Sequence, residues 1–265
     1  MSKIENFELD MPLFGCKRKI WVYLPEDYDE KGKPYPVIYM QDGQNLFYKD
    51  LTLYGDTWRA DTTMEKIRAA TGRAAIVAGV ENSRKRLLEY SPWETSHKDV
   101  ITDKDNIGGR GADYAEFFSV DVRKAIENRY NAVRDRKGRA VLGSSAGGLI
   151  SCYIALRYQE VFETAGLFST ACWFNEEALR DFMDTMPQRC AQHVLVYAGG
   201  KEDIAEIMPA GTMVENSIGL YKRLAARGIS CELLLNSDLR HNENAWAIYF
   251  YKFADDFLRR FEERE

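Results

Sequence analysis

Histidine is scarce in this chain, with three residues in 265. Chemistry that needs an imidazole has only His97, His193 and His241 to draw on. Basic residues do not outnumber acidic ones, and the formal net charge is −5. That leaves no positive footprint for nucleic acid or an anionic membrane surface. The five cysteines are odd in number and contain no C-x-x-C pair. Reduced thiols in a cytoplasmic protein fit this usage better than a disulfide framework. Long apolar runs are missing too: the longest charge-free stretch, 140–156, falls short of the ~20 residues of a membrane span and contains Ser144, Ser145 and three glycines besides. The opening MSKIENFELDMPLFG lacks the apolar core and small-residue cleavage site of a secretory leader. There is no H-E-x-x-H, and His241-Asn242-Glu243 has no second histidine, so neither a metal nor another cofactor is expected. Gly108-Gly109-Arg110-Gly111 lacks the Lys-Ser/Thr of a phosphate loop and reads as a turn. A soluble, cytoplasmic protein is the expectation, with no nucleic-acid or membrane partner and no stated oligomeric state.

What is present is an ordinary globular balance, 45% hydrophobic and 29% charged residues, which argues against disorder or coiled coil. No repeat or linker interrupts the chain, so residues 1–265 are expected to form a single domain. Strands are predicted at Lys19–Leu24, Val37–Met40, Ala75–Val80, Ala140–Gly143, Thr164–Phe168, His193–Ala198 and Cys231–Leu235. Several are apolar nearly throughout, as strands of a parallel sheet covered on both faces should be. Helical spacing predicts helices over Thr57–Ala70, Tyr114–Tyr130, Leu149–Tyr158, Glu176–Met186, Met213–Arg227 and the closing segment. Strand–helix alternation of this kind predicts an α/β fold, a three-layer sandwich around a mostly parallel sheet. The short link between Pro25 and Pro36 has no room for a crossover helix, so an N-terminal antiparallel hairpin of Lys19–Leu24 with Val37–Met40 is expected. The long region from Glu81 to Gly111 reads equally as a cover over a site or as a surface excursion packed by Tyr90, Pro92 and Trp93.

The sharpest local signal is Gly143-Ser144-Ser145-Ala146-Gly147, a G-x-S-x-G between an apolar strand and a helical run. A serine on such a tight strand-to-helix turn is held in strained geometry with its hydroxyl above the sheet. The following helix aims its first amides at the site, so that of Ala146 is placed to stabilise an oxyanion. A serine nucleophile needs a base. His97 lies upstream of it, and His193 opens an apolar strand, where a structural imidazole is expected. His241 follows the last strand and precedes the last helix, which matches the order serine, acid, histidine. The acid should sit at the carboxyl end of His193–Ala198, where Glu202 and Asp203 are adjacent and spacing does not choose between them. A second oxyanion donor is sought in Gln41-Asp42-Gly43-Gln44-Asn45, a segment that reads equally as an ordinary Asp-Gly turn. Arg84, Lys85 and Arg86 read as a solvated charge run, with contact to an anionic substrate the alternative.

Eight blocks in order carry a resemblance: YMQDGQNLF (39–47), GDTW (55–58), VAGVENSRKRLLEYSPW (77–93), GGRGADYAEFF (108–118), LGSSAGGLIS (142–151), FSTACWF (168–174), GGKED (199–203) and HNENAW (241–246). Together they resemble the esterase family of α/β-hydrolases that includes carbohydrate esterase family one (feruloyl and acetylxylan esterases), ferric-siderophore esterases and mycolyltransferases. The resemblance implies Ser145 as nucleophile, His241 as base and Glu202, rather than Asp203, as acid. It also implies the amide of Gln44 as the oxyanion donor opposite Ala146, and Trp173 as an aromatic beside the substrate. Two departures stand out: Arg240 replaces the glycine common before the histidine, and the elbow reads GSSAGG where many relatives have methionine.

The expected reaction is hydrolysis of a carboxylic ester of a small molecule or oligosaccharide, an acylated sugar or a hydroxycinnamoyl or acetyl ester. A siderophore esterase, an acyltransferase and a silent hydrolase-fold binding protein are the alternatives. Trp173, Phe174, Tyr114 and Trp93 are candidate walls of an acyl pocket, with core packing expected for Trp93. Asp42 and Arg240 are further candidate substrate contacts.

Overall fold

Runs such as VIYM and IVAGV bury every side chain, and they form the centre of one eight-stranded sheet. The computed structural model describes the whole chain apart from residues 1, 53–54, 100, 102, 203–210 and 265. The strands are β1 (Lys3–Met11), β2 (Cys16–Leu24), β3 (Val37–Met40), β4 (Ile76–Val80), β5 (Arg139–Ser144), β6 (Thr164–Phe168), β7 (His193–Gly199) and β8 (Ser230–Asn236), in the order β1-β2-β4-β3-β5-β6-β7-β8. From β4 to β8 every neighbouring pair is parallel.

The helices are α1 (Ala60–Thr71), α2 (Arg86–Tyr90), α3 (Gly111–Glu116), α4 (Arg123–Arg129), α5 (Ala146–Arg157), α6 (Glu176–Thr185), α7 (Thr212–Ala226) and α8 (Glu243–Glu262). A wide π-turn, Phe117–Val122, joins α3 to α4, so the predicted helix Tyr114–Tyr130 is continuous but not uniform. Alternation along the strands sorts the core into two layers. Val37 and Tyr39 of β3 face a cluster with α3, α4, α5, α6 and α7, while Ile38 and Met40 face α1 and α8. The three-layer α/β sandwich is therefore as expected.

The N-terminal antiparallel hairpin is present, but its strands are β1 and β2, paired from Lys3↔Leu24 to Met11↔Cys16. Val37–Met40 instead lies parallel between β4 and β5. The omitted strand had a signal: Phe7, Leu9 and Met11 alternate with charged residues, the period-two pattern of an edge strand with one face buried. With β1 as its partner, β2 needs no bond to β3, and pairs antiparallel with β4 on its other side.

The chain leaves β3 for β4 on one side and leaves the adjacent β5 for β6 on the other. The crevice beyond the carboxyl ends of β3 and β5 is thus a topological switch point, where open α/β sheets bind ligands. The G-x-S-x-G turn and the Gln41–Asn45 segment both emerge there.

Candidate active site

β5 runs into α5 with Ser145 between them, at φ 58° and ψ −124°. This is one of four non-glycine residues with positive φ among those described. The strain is held by hydrogen bonds on both sides: the Ser145 amide donates to the Phe168 carbonyl (2.9 Å), and the Ala171 amide donates to the Ser145 carbonyl (3.0 Å). The flanks leave little room for a side chain, and at Gly143 none. A Cβ at Gly143 would lie 2.3 Å from the Gly147 carbonyl oxygen, and one at Gly147 would lie 3.0 Å from Asp42 Oδ2. Among the described residues Ser145 Oγ has no hydrogen-bond partner, and the residue is partly exposed, so the hydroxyl is open to an incoming group.

The carboxylate that meets His241 belongs to Glu202; Asp203 lies outside the described residues. His241 Nδ1 is 3.0 Å from Glu202 Oε2. The second oxygen, Oε1, accepts from the Ser169 hydroxyl and from the Gly199 amide, both at 2.7 Å. Glu202 is 1% exposed, so these donors replace the water its charge has lost. Ser169 in turn accepts from Trp246 Nε1 (2.9 Å). The Trp246 ring stands edge-on to His241, with centroids 5.1 Å apart at 84°, and stacks on Trp58. Nε2 of His241 has no partner among the described residues, and the side chain is 18% exposed. The imidazole is thus oriented from one side and open on the other.

The Gln41–Asn45 segment begins with Gln41 donating its amide to the Leu142 carbonyl beside the elbow (3.0 Å). Asp42 is left-handed at φ 56°, and Gly43–Asn45 form a short 3-10 turn after it. The amides of Gly43 and Gln44, like that of Ala146, lie in first turns, where no intrahelical carbonyl can meet them. Asn45 Nδ2 donates to Glu243 Oε1 (3.0 Å), tying this loop to the start of α8 next to His241. Burial, aided by Asp42 and Asp56, raises the pKa of Glu243 above the ordinary carboxylate value.

Three expectations are corrected. Tyr114 is not a pocket wall: it is fully buried, donates its hydroxyl to Gln41 Oε1 (2.6 Å) and packs on Tyr90 and Phe118, because α3 turns this face to the sheet. Asp42 is not a substrate contact, because both its oxygens are occupied by Arg86 and Asn82 and it is 4% exposed. Arg86 is consequently no member of a solvated charge run. The long 81–111 region contains α2, buries Tyr90, and packs Trp93 on Tyr153 and Phe182.

Trp173 is half-buried past the end of β6, near His97 and Phe174 and against Ala198 and Met213. Its indole N–H is buried without an acceptor among the described residues. Arg240 is exposed beside His241. His193 lies at the opposite end of β7, among Arg260, Arg264 and Glu163. Ser169 and Trp246 were not singled out from the sequence, and Arg86 was read only as part of a charge run. The signal for Ser169 and Trp246 was membership in the blocks FSTACWF and HNENAW. Among the described residues no cluster of three or more His, Cys, Asp or Glu is placed to hold a metal ion. No described helix is long and apolar enough to cross a membrane.

A mostly parallel eight-stranded sheet with a strained serine between β5 and α5, and a Glu–His pair after β7 and β8, defines an α/β-hydrolase fold. Within that class the chain belongs to the esterase family described as "Putative esterase", whose model matches residues 12–213. It is 30% identical over 162 residues to the Bacillus subtilis uncharacterized protein YbbA, covering 61% of this chain and 60% of that protein. To an endo-1,4-beta-xylanase/feruloyl esterase of Xylanibacter ruminicola it is 24% identical over 246 residues, covering 90% of this chain and 29% of the other. The match thus spans less than two thirds of the length of either relative. Among solved structures, an IroE-like serine hydrolase from Shewanella oneidensis aligns with a TM-score of 0.77 at 14% identity, over 98% of this chain and 80% of that one.

Proposed function

We propose that the protein is a serine carboxylic-ester hydrolase acting on an acylated carbohydrate or a small hydroxycinnamoyl or acetyl ester. The observation that carries this reading is the Glu202–His241 hydrogen bond at the carboxyl edge of the sheet that also presents the strained Ser145. In this reading Ser145 Oγ attacks the acyl carbon while His241 Nε2 takes its proton. Glu202 keeps the imidazole in the tautomer with Nδ1–H and stabilises the imidazolium. The amides of Ala146 and Gln44 receive the developing oxyanion. The imidazolium returns its proton to the leaving alkoxide, and water, deprotonated by the same nitrogen, then releases the acid. The relative named as a feruloyl esterase supports the hydroxycinnamoyl branch of the substrate class.

The test is turnover of an ester panel (acetyl, butyryl and feruloyl esters, and a triscatecholate siderophore) by the wild type and by Ser145→Ala. The reading expects hydrolysis by the wild type and a kcat lower by roughly 10⁴–10⁶-fold in the variant, since triad members act as a unit. A fluorophosphonate should label Ser145. Labelling of Ser144 instead, or an unimpaired variant, would overturn the assignment. Faster transfer to an added alcohol than to water would make the protein an acyltransferase.

A further inference from the structure

The segment that carries the Gln44 amide has little of its own to hold its shape. It starts from a left-handed Asp42, a strained conformation for a residue with a side chain, and continues in a single 3-10 turn. The Asp42 carboxylate is nonetheless gripped from several directions. Arg86 Nε donates to Oδ1 at 2.7 Å and Nη2 to Oδ2 at 2.8 Å, a two-pronged pair. Asn82 Nδ2 adds a third donor to Oδ1 at 2.6 Å. The Asp42 amide donates to the Tyr90 hydroxyl (3.1 Å), and the Arg86 guanidinium lies over the Tyr90 ring, 4.9 Å from its centroid. The Asn82 amide donates to Gln44 Oε1 (3.1 Å), so one residue holds Asp42 and Gln44 together. On its far side Arg86 Nη2 reaches the carbonyl of Ser144, the residue before the nucleophile, at 3.4 Å.

A buried ion pair is weak evidence for stability, because desolvation of both charges offsets their attraction. Burial here works against the Arg86 charge, yet the Asp42 carboxylate outweighs it and lifts the guanidinium pKa above its ordinary value. What the pair does secure is geometry. A guanidinium fork on a carboxylate fixes the orientation of both groups, and this fork spans the two segments whose amides must converge on one oxygen atom.

We infer that Arg86 is a positioning residue: through Asp42 it sets the Gln44 amide against the Ala146 amide, so that the two donors meet the oxyanion. This rests on the esterase reading above. Arg86 touches no reacting atom in this scheme, and its effect travels through the loop. Removing one oxyanion donor outright costs about 10²–10³ in kcat. A donor displaced but not lost should cost less, about 10–100-fold.

The experiment compares Arg86→Gln and Arg86→Lys with Arg139→Gln. Arg139 forms a more deeply buried pair with Glu127 at the opposite end of β5, so its variant reports the cost of breaking a buried ion pair away from the site. Measured are kcat, KM, the inhibition constant of an arylboronic acid, whose serine adduct mimics the oxyanion, and the melting temperature. Arg86→Gln should lower kcat about 10–100-fold, shift KM less than about threefold and weaken the boronate in proportion to kcat. Arg86→Lys, which keeps the charge but not the fork, should recover part of the loss. Arg139→Gln should lower the melting temperature and leave kcat within about twofold. Unchanged kcat in folded Arg86→Gln, a loss confined to KM, or an unaffected boronate would overturn the inference while the wild-type activity stands. If Arg86→Gln does not fold, Arg86→Lys carries the same comparison, and wild-type kcat and boronate binding there would overturn it. A wild type inert on every ester, with Ser145 unlabelled, would overturn the esterase reading and this inference with it.

Discussion

The carboxylate of Glu202 faces His241 with one oxygen and Ser169 with the other, at 3.0 Å and 2.7 Å. The Ser169 hydroxyl, its own proton committed to Glu202, accepts the indole N–H of Trp246, whose ring edge lies against His241. A loop of contacts therefore closes on the imidazole through four residues from three separate parts of the chain.

Glu202→Gln should be severe. The amide is close to isosteric but carries no charge to stabilise an imidazolium, and loss of the corresponding acid cost about 3 × 10⁴ in kcat in subtilisin. A fall of about 10³–10⁵ is expected in steady-state assays, with Asp203→Asn mild. The reverse ranking would move the role to Asp203.

Ser169→Ala removes one of two donors to Glu202 Oε1 and leaves Trp246 Nε1 buried without an acceptor. Partners that orient a functional group from behind typically contribute 10–100-fold, and a kcat loss of about that size is expected. Ser169→Thr, which keeps the hydroxyl, should recover activity if its methyl is accommodated. Wild-type kcat in Ser169→Ala would make the hydrogen bond structural only.

Trp173 lies past the end of β6, at the edge of the sheet where substrates gather. Aromatic contacts add about 0.5–1.5 kcal/mol beyond buried area, roughly two- to twelve-fold per contact. Trp173→Ala should therefore lower kcat/KM more for a feruloyl ester than for an acetyl ester. Equal losses would assign the side chain to packing.

Stability should depend on His193 on the acid side. Burial first, then Arg260 and Arg264, lowers its pKa below the ordinary 6.5; Glu163 opposes them and Arg136 adds to them. A depressed folded-state pKa means that the unfolded chain binds the proton more readily. Stability is then fully present above about pH 6.5 and is lost as pH falls through the lower folded value. His193→Gln should flatten that part of the melting temperature–pH curve and leave kcat unchanged, since the residue lies at the far end of β7.

Two glycines should respond in opposite ways to alanine. A Cβ at Gly143 meets the backbone of Gly147 at 2.3 Å, which cannot move without deforming the elbow. Gly143→Ala should destabilise by about 1–3 kcal/mol or more and abolish activity. Gly219, within α7, has nothing within 4 Å of its Cβ position. Gly219→Ala should stabilise by about 0.5–1 kcal/mol in chemical denaturation, through helix propensity alone.

The amino-acid sequence by itself determined the alternation of strands and helices, the sheet's parallel centre and the position of the serine turn. Each is a local property: an apolar run buried on both faces, a helical period, a glycine-flanked serine between the two. Scarcity did the rest, since one histidine stood after the last predicted strand. Only the tertiary structure decided that β1, and not β3, is the hairpin partner of β2. It alone showed that Tyr114 is core, that Asp42 is held by Arg86 44 positions away, and that Ser169 meets Trp246 across 77. Periodicity records which face of an element is covered. Which side chain of a distant element covers it depends on how the sheet twists and where the loops return, and no short stretch of sequence contains that.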